Sequence, residues 1–567
     1  MIWDYGRYAP KRIAILLIAV LGGAGAACEI QERAETGPGV SQIRSPTFRL
    51  AVLITVDQLG QDLLVRYAHL YSGGLGRLIA DGRWYTNAWV DHAVTVSHPG
   101  HVTLSTGLDP ARHGIVDAAF YESDVDGTRR FVDAVRDTTE RILGVESSPG
   151  VSPRKIRAPG LWDWVRDANP EARRVAVGTG RYASLLYART PGDVYWFSPF
   201  APGYVTSSFY GDAYPDWVAR FNREAFPRFM ADTVWTLMVP EAARGLARRD
   251  DTPYESGGRH PTFPHRFHDE VQPENRGNPV ALANWIADTP AIDEATLAFA
   301  EQAVRARDLG RRDATDLLAI VLSQVDDIGH WYGPRSLEQL DNMLRLDAAL
   351  GRFFAFLDRY VGSDRWVLAL SADHAAPAAP EHRRALGEPA VRVMAGDVER
   401  ALVAAARAAA DTLGSADAGL NPEARARRVA EAVEAFDWVA DAMTPAELRS
   451  TAPADSFVEL YRRTTSLDRT PRYPLFSFES GLSDAVAGLG VTVRLQEHAM
   501  LDLDVSVHGS PYAYDRHVPI VMFGAGVRPG KTTLYATTKD VAPTLAALAG
   551  LSVPADLDGR VLVDARN

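Results

Sequence analysis

The chain has 567 residues, 46% of them hydrophobic and 23% charged, enough to bury a large core. Its formal net charge of −12 excludes a broad basic surface that grips a nucleic-acid duplex by counterion release. The single cysteine, Cys28, excludes internal disulfides and cysteine-built metal centres.

The first elements read as export machinery rather than fold. Arg7, Lys11 and Arg12 precede the apolar run Ile13 to Leu21, and small residues follow through Ala27. A basic flank, a short apolar stretch and small residues predict a signal peptide over 1–27, since the run is short for a membrane span. Cys28 directly after Gly25-Ala26-Ala27 resembles a bacterial lipoprotein cleavage site, with Gly25 where that pattern has Leu, and offers a possible lipid anchor. The expected location is therefore the periplasm or a membrane to which the chain is tethered. Residues 28–46 lack an apolar period and read as a flexible tether.

From residue 47 onward, apolar runs of strand length alternate with helical stretches. They are Arg49–Val56, Arg174–Val177, Asp316–Leu322, Trp366–Leu370 and Val518–Phe523. Unbroken apolar runs suit strands buried on both faces, so the expected core is α/β, a mostly parallel sheet between helices. Two segments break the pattern. Residues of about 225–280 are rich in Pro, His and Arg, and about 385–487 contains an Ala/Arg/Glu-rich helical stretch, Val398 to Val439. Both read as insertions that cap the sheet.

Chemistry-bearing residues cluster where these strands end. Asp57 ends the first run, Asp373-His374 ends another, and Asp326 and His330 follow the run closing at Leu322. In open α/β sheets the strand C-terminal ends line the ligand crevice. The spacing of Asp326 and His330 puts both on one side of a helical turn. His508 lies in the Gly/Pro-rich loop Val507-His-Gly-Ser-Pro-Tyr512. One Asp after a strand is ordinarily a turn or helix cap, and one His a satisfied core or surface group. Three carboxylates and three imidazoles together can hold two zinc ions with open positions for substrate.

The candidate nucleophile is Ser97, in Val94-Thr-Val-Ser97-His-Pro-Gly-His101. A serine hydroxyl is a weak nucleophile until a divalent metal lowers its pKa. Ser97 precedes a Pro-Gly pair where a helix can start and aim N–H groups at an anion, although an N-cap serine has the same surroundings. His98 and His101 read as structural, because the other six groups complete two sites.

These residues carry a resemblance. Asp57, the Ser97-x-Pro-Gly-His101 box with Ser105-Thr-Gly107, Asp326-x-x-x-His330, Asp373-His374 and His508-Gly-Ser-Pro-Tyr512 follow one another as in the alkaline phosphatase superfamily. The resembling branch joins nucleotide pyrophosphatase/phosphodiesterases with phosphate-irrepressible-type alkaline phosphatases. Arg112-His-Gly-Ile115, Tyr195-Trp-Phe197 and Thr206-Ser-Ser-Phe-Tyr210 match as well. The resemblance implies one alkaline-phosphatase-like catalytic domain over 47–567. It puts Asp57, Asp373 and His374 on one Zn2+ and Asp326, His330 and His508 on the other. Ser97 then forms a phosphoseryl intermediate that water hydrolyses, where most relatives carry Thr. A small phosphorylated substrate is implied, most directly a phosphomonoester, with phosphodiesterase or nucleotide pyrophosphatase activity as the alternative.

Two departures bear on that choice. The Lys-x-Arg pair that reaches phosphoryl oxygens in monoesterases is Thr179-Gly180-Arg181 here, so the cationic contact falls to Arg181 and Thr179 stands in the lysine position. A guanidinium suits bidentate phosphate binding. The position of the family's substrate-side Asn is taken by Ala118. A sulfatase of the same fold needs a box ending in Arg, and this box ends in His101. A secreted binding protein that has lost activity is the reading of another class, favoured by the missing Lys and Asn and opposed by the six ligand-type residues and the hydroxyl.

Overall fold

The strand β1 (Leu50–Val56) is buried along its whole length. Its alternate residues feed opposite layers, as a two-residue side-chain period requires. Leu50, Val52, Ile54 and Val56 enter one hydrophobic cluster, and Ala51 and Leu53 enter the other. The computed structural model describes residues 48–566 except 125–128, 147, 181–182, 232, 395, 397–399, 402, 406–421, 472–490 and 502–503. The expected signal peptide, the tether with Cys28, and Arg181 lie outside the described residues.

The remaining strands of the main sheet are β2 (Arg83–Trp89), β3 (Arg174–Gly178), β4 (Asp193–Ser198), β5 (Gly203–Val205), β6 (Asp316–Leu322), β7 (Trp366–Ser371), β8 (Ile520–Gly524) and β9 (Gly530–Thr537). The sheet has nine strands in the order β9-β2-β8-β7-β1-β6-β3-β4-β5. The centre β7-β1-β6-β3-β4 is parallel throughout, with Leu50 opposite both Asp316 and Trp366. The sheet is thus mixed and mostly parallel, with helices on both faces. β8 departs from the parallel rule, running antiparallel to both β7 and β2. An unbroken apolar run reports burial on two faces and says nothing of direction.

Helices that position the site are α1 (Ser97–Thr106), α2 (Leu161–Ala168), α3 (Ala291–Ala306), α4 (Gln324–Tyr332), α5 (Leu337–Leu357) and α6 (Val541–Leu548). Residues of α3 and α5 pack with the even-numbered side of β1, and residues of α1, α2 and α6 with the odd-numbered side. Ser45–Asn567 form one compact unit.

Outside the main sheet, Val234–Trp235 pairs with His265–Arg266. Trp235 Nε1 donates to Asp341 on α5, 2.7 Å away. The Ala/Arg/Glu-rich stretch contains a helix over Pro422–Val433, but Val439, expected at the end of that helical stretch, instead opens the strand Val439–Met443 against Thr492–Leu495. The β-branched residue at that point favours the pleated pairing over the helix. Arg469–Pro471 joins Ala119–Ser123 and Arg129–Asp133 in a third small sheet. Among the described residues no helix is long and apolar enough to cross a membrane.

Candidate active site and metal centre

Three adjacent parallel strands, β7, β1 and β6, end side by side, and the candidate ligands follow directly. Asp57 leaves β1 and Asp373-His374 leave the end of β7. β6 runs through Ser323 into α4, where Asp326 and His330 are one turn apart, their Oδ1 and Nε2 separated by 3.3 Å. His508 comes in from its loop, its ring stacked on His374 with centroids 3.6 Å apart. Asp57 is 5% exposed, and Asp373 and His374 are fully buried.

All three imidazoles are held in the same sense. Their Nδ1–H groups donate to backbone carbonyls, His508 to Thr95 at 2.8 Å, His330 to Ser506 at 2.7 Å and His374 to Ala375 at 3.3 Å. Each Nε2 is thereby turned to the carboxylates. His508 Nε2 is 3.4 Å from Asp326 Oδ1, and His374 Nε2 is 3.4 Å from both Asp57 Oδ1 and Asp373 Oδ2. A carbonyl on one ring nitrogen with the other aimed inward is the usual support of a metal-ligating histidine.

The electrostatics call for a cation. Burial pushes the Asp57 carboxyl well above its ordinary range, with the Asp326 charge adding to it. Burial does the same to Asp373, reinforced by Asp57. Asp326 differs: burial raises it, yet His330 and His508 together hold it well below the usual carboxylate range. Asp373 Oδ2 is buried without a hydrogen-bond partner. Asp57, Asp373 and His374 offer ligand atoms within 4.8 Å of one another, and so do Asp326, His374 and His508. These oxygen and imidazole donors fit divalent cations. His374 is common to both groups, and His330 reaches the second through Asp326.

Ser97 is the first residue of α1, at a helix N-terminus whose early N–H groups have no intrahelical partner. Its Oγ lies 3.2 Å from His374 Nε2 and 3.5 Å from Asp57 Oδ1. Gly100 lets α1 approach this closely, because a Cβ there would sit 2.6 Å from the Asp373 carbonyl oxygen and 2.7 Å from its Cβ. His101 is fully buried behind the carboxylates, its Nε2 3.5 Å from Asp373 Oδ2 and its Nδ1 3.1 Å from the Tyr187 hydroxyl. Burial pushes His98 down to about 4.

Thr179, expected beside the substrate, is 6% exposed, with its hydroxyl donating to Asp293 Oδ1 at 2.9 Å and lying 3.1 Å from Thr296 Oγ1. A small hydroxyl at the end of β3 meets the acid behind it, where a lysine stem would have extended further. Ala118 presents a methyl group, and its N–H bonds the Asp117 carboxylate at 2.6 Å. Sequence reasoning passed over Gln58, which is 2% exposed and has φ of 64°. Its one sequence signal is its place directly after Asp57.

Against this geometry, the chain matches the family profile described as type I phosphodiesterase / nucleotide pyrophosphatase over residues 51–469. The chain belongs to this family. It is a phosphoric ester hydrolase of the alkaline phosphatase superfamily, whose enzymes are metal-dependent and take small phosphorylated substrates. It is 31% identical to alkaline phosphatase PhoK of a Sphingomonas species, over 91% of this chain and 90% of that protein. Alkaline phosphatase PhoV of Synechococcus elongatus is 27% identical over 98% of this chain and 99% of its own length. The crystal structure of alkaline phosphatase PafA shares the fold, with a TM-score of 0.79 at 23% identity, covering 92% of this chain and 99% of that one.

Proposed function

We propose that this family member is an exported, zinc-dependent phosphomonoesterase acting through a phosphoseryl intermediate on Ser97. In this reading residues 1–27 are a cleaved signal, 28–46 a tether with Cys28 available for lipid, and 47–567 one catalytic domain capped by about 225–280 and 385–487. The observation that carries it is the Ser97 hydroxyl 3.2 Å from His374 Nε2, at a helix N-terminus against a buried acid cluster.

Asp57, Asp373 and His374 would hold one zinc ion, and Asp326, His330 and His508 the other. When bound, the pair supplies positive charge that lowers the hydroxyl pKa and stabilises charge on the phosphoryl oxygens. Ser97 Oγ attacks phosphorus, its new O–P bond forming as the ester O–P bond breaks and the alcohol leaves. Water then breaks the Oγ–P bond, releasing phosphate and restoring the hydroxyl. Early N–H groups of α1 orient the anion, and Arg181 contributes a bidentate contact.

A diesterase reading is favoured by one observation: with the Thr179 hydroxyl committed to Asp293, no second cation is supplied from that position. The test pairs an aryl phosphate monoester and a diester with acid quench during turnover. Phosphate covalently bound at Ser97, loss of activity on chelation and recovery with zinc are expected. Ser97→Ala should lower kcat by about 10³-fold or more while still taking up two zinc ions. Near-normal turnover in that variant overturns the phosphoseryl route.

A further inference from the structure

We propose that Gln58 is the positioning residue that couples the two sets of metal ligands, an inference resting on the two-zinc reading above. Its backbone N–H donates to Asp373 Oδ1 at 3.2 Å, and its carboxamide Nε2 donates to Asp326 Oδ1. One residue thus holds a carboxylate of each set.

Three features show that this position is built rather than incidental. Gln58 carries φ of 64°, a left-handed conformation uncommon for a residue with a long side chain. It is 2% exposed. A Cβ on Gly329 would stand 2.1 Å from Gln58 Oε1, so α4 leaves a gap between Asp326 and His330 for this carboxamide.

The atom that receives the amide is the one that matters. Asp326 Oδ1 faces both His330 Nε2, at 3.3 Å, and His508 Nε2, at 3.4 Å. Asp326 is the sole carboxylate of that set, so its rotamer sets the site. A neutral donor fixes the rotamer without adding charge. Glutamate there would repel Asp326, and lysine would compete with the cation. The contacts also divide: the Asp373 contact belongs to the backbone and survives side-chain replacement, whereas the Asp326 contact does not.

The experiment titrates Zn2+ into the metal-stripped full chain against a chromophoric chelator. Wild type is compared with Gln58→Met, which keeps the length without the donor, and Gln58→Gly, which relaxes the backbone and keeps the N–H. In both variants one of the two ions should bind at least about 10-fold more weakly, the scale of a lost outer hydrogen bond to a ligand, with the other unchanged. The Co2+-substituted protein should show an altered absorption band for one site. The glycine variant should unfold no earlier than wild type when metal-free, and its kcat/KM loss should shrink in excess zinc. Equal weakening of both ions, or of neither, overturns the positioning role of the carboxamide at Asp326. A wild-type chain that binds fewer than two ions overturns the two-zinc reading and this inference with it, and its stoichiometry distinguishes that failure from the other.

Discussion

The Thr179 hydroxyl bonds a carboxylate that lacks a partner on its other side: Asp293 Oδ2 is buried with no hydrogen bond, and burial pushes the Asp293 carboxyl up to about 7. This changes what a lysine would do there. In Thr179→Lys the nearest counter-charge for the ammonium is Asp293, and a buried ion pair neutralises the charge before a phosphoryl group can use it. A free second cation favours a monoester dianion over a diester monoanion. Thr179→Lys alone should therefore leave the ratio of monoester to diester kcat/KM within about twofold of wild type. With Asp293→Asn added, the amide still accepts from neighbouring donors and the ammonium is released, and the ratio should rise about 10-fold. Side-by-side kinetics on one aryl monoester and its diester check this, and equal ratios in the single and double variants exclude Asp293 as the trap.

At the scale of elements, the site depends on how closely α1 lies on the end of β7. Gly100→Ala would drive a Cβ into the Asp373 backbone, at 2.6 Å from its carbonyl oxygen. Backbone cannot yield as a flexible side chain can, so α1 must lift and carry Ser97 with it. The expected cost is about 1–3 kcal/mol of stability. Turnover should fall by about 10²-fold, as misplacement of a reacting group by an ångström does. Thermal unfolding and kcat/KM measured together check it, and unchanged kinetics would show that α1 tolerates the shift. The sequence makes part of this arrangement legible. Asp57, Asp326 and Asp373 follow apolar runs, and such runs become adjacent parallel strands whose ends converge. The i, i+4 spacing likewise aligns Asp326 with His330. The direction of β8 has no such signal, because an apolar run is equally buried either way. Gln58 escapes for another reason: a left-handed backbone and a carboxamide's choice of partner depend on neighbours far away in sequence, here Asp326, and the partner of the Thr179 hydroxyl, Asp293, is set in the same way.

For the whole molecule, the acid cluster makes folding and metal binding one equilibrium with a definite pH dependence. Metal-free, Asp57 and Asp373 are pushed well above the carboxylate range by burial. His330 is raised to about 10, where burial alone would lower it, because Asp326 lies beside it. Groups with raised folded pKa values bind more protons folded than unfolded, so their stabilisation is lost as pH rises through those values. For His330 the window runs from 6.5 to about 10. His374 and His101 shift downward and contribute the opposite slope, but only as pH falls below the ordinary histidine value of 6.5. Above 6.5 the site's slope therefore has one sign, and metal-free protein loses stability as pH rises. Bound cations keep the carboxylates ionised and the imidazoles neutral, which removes that dependence, and ligand deprotonation tightens binding over the same range. Groups far from the site titrate alike in both forms and cancel in the difference. The gap in Tm between zinc-loaded and chelated protein should widen steadily from pH 6.5 to 9, and calorimetry at fixed free zinc measures it. A gap that stays constant or narrows would mean that the carboxylates are already compensated within the chain and that the cluster is not built around cations.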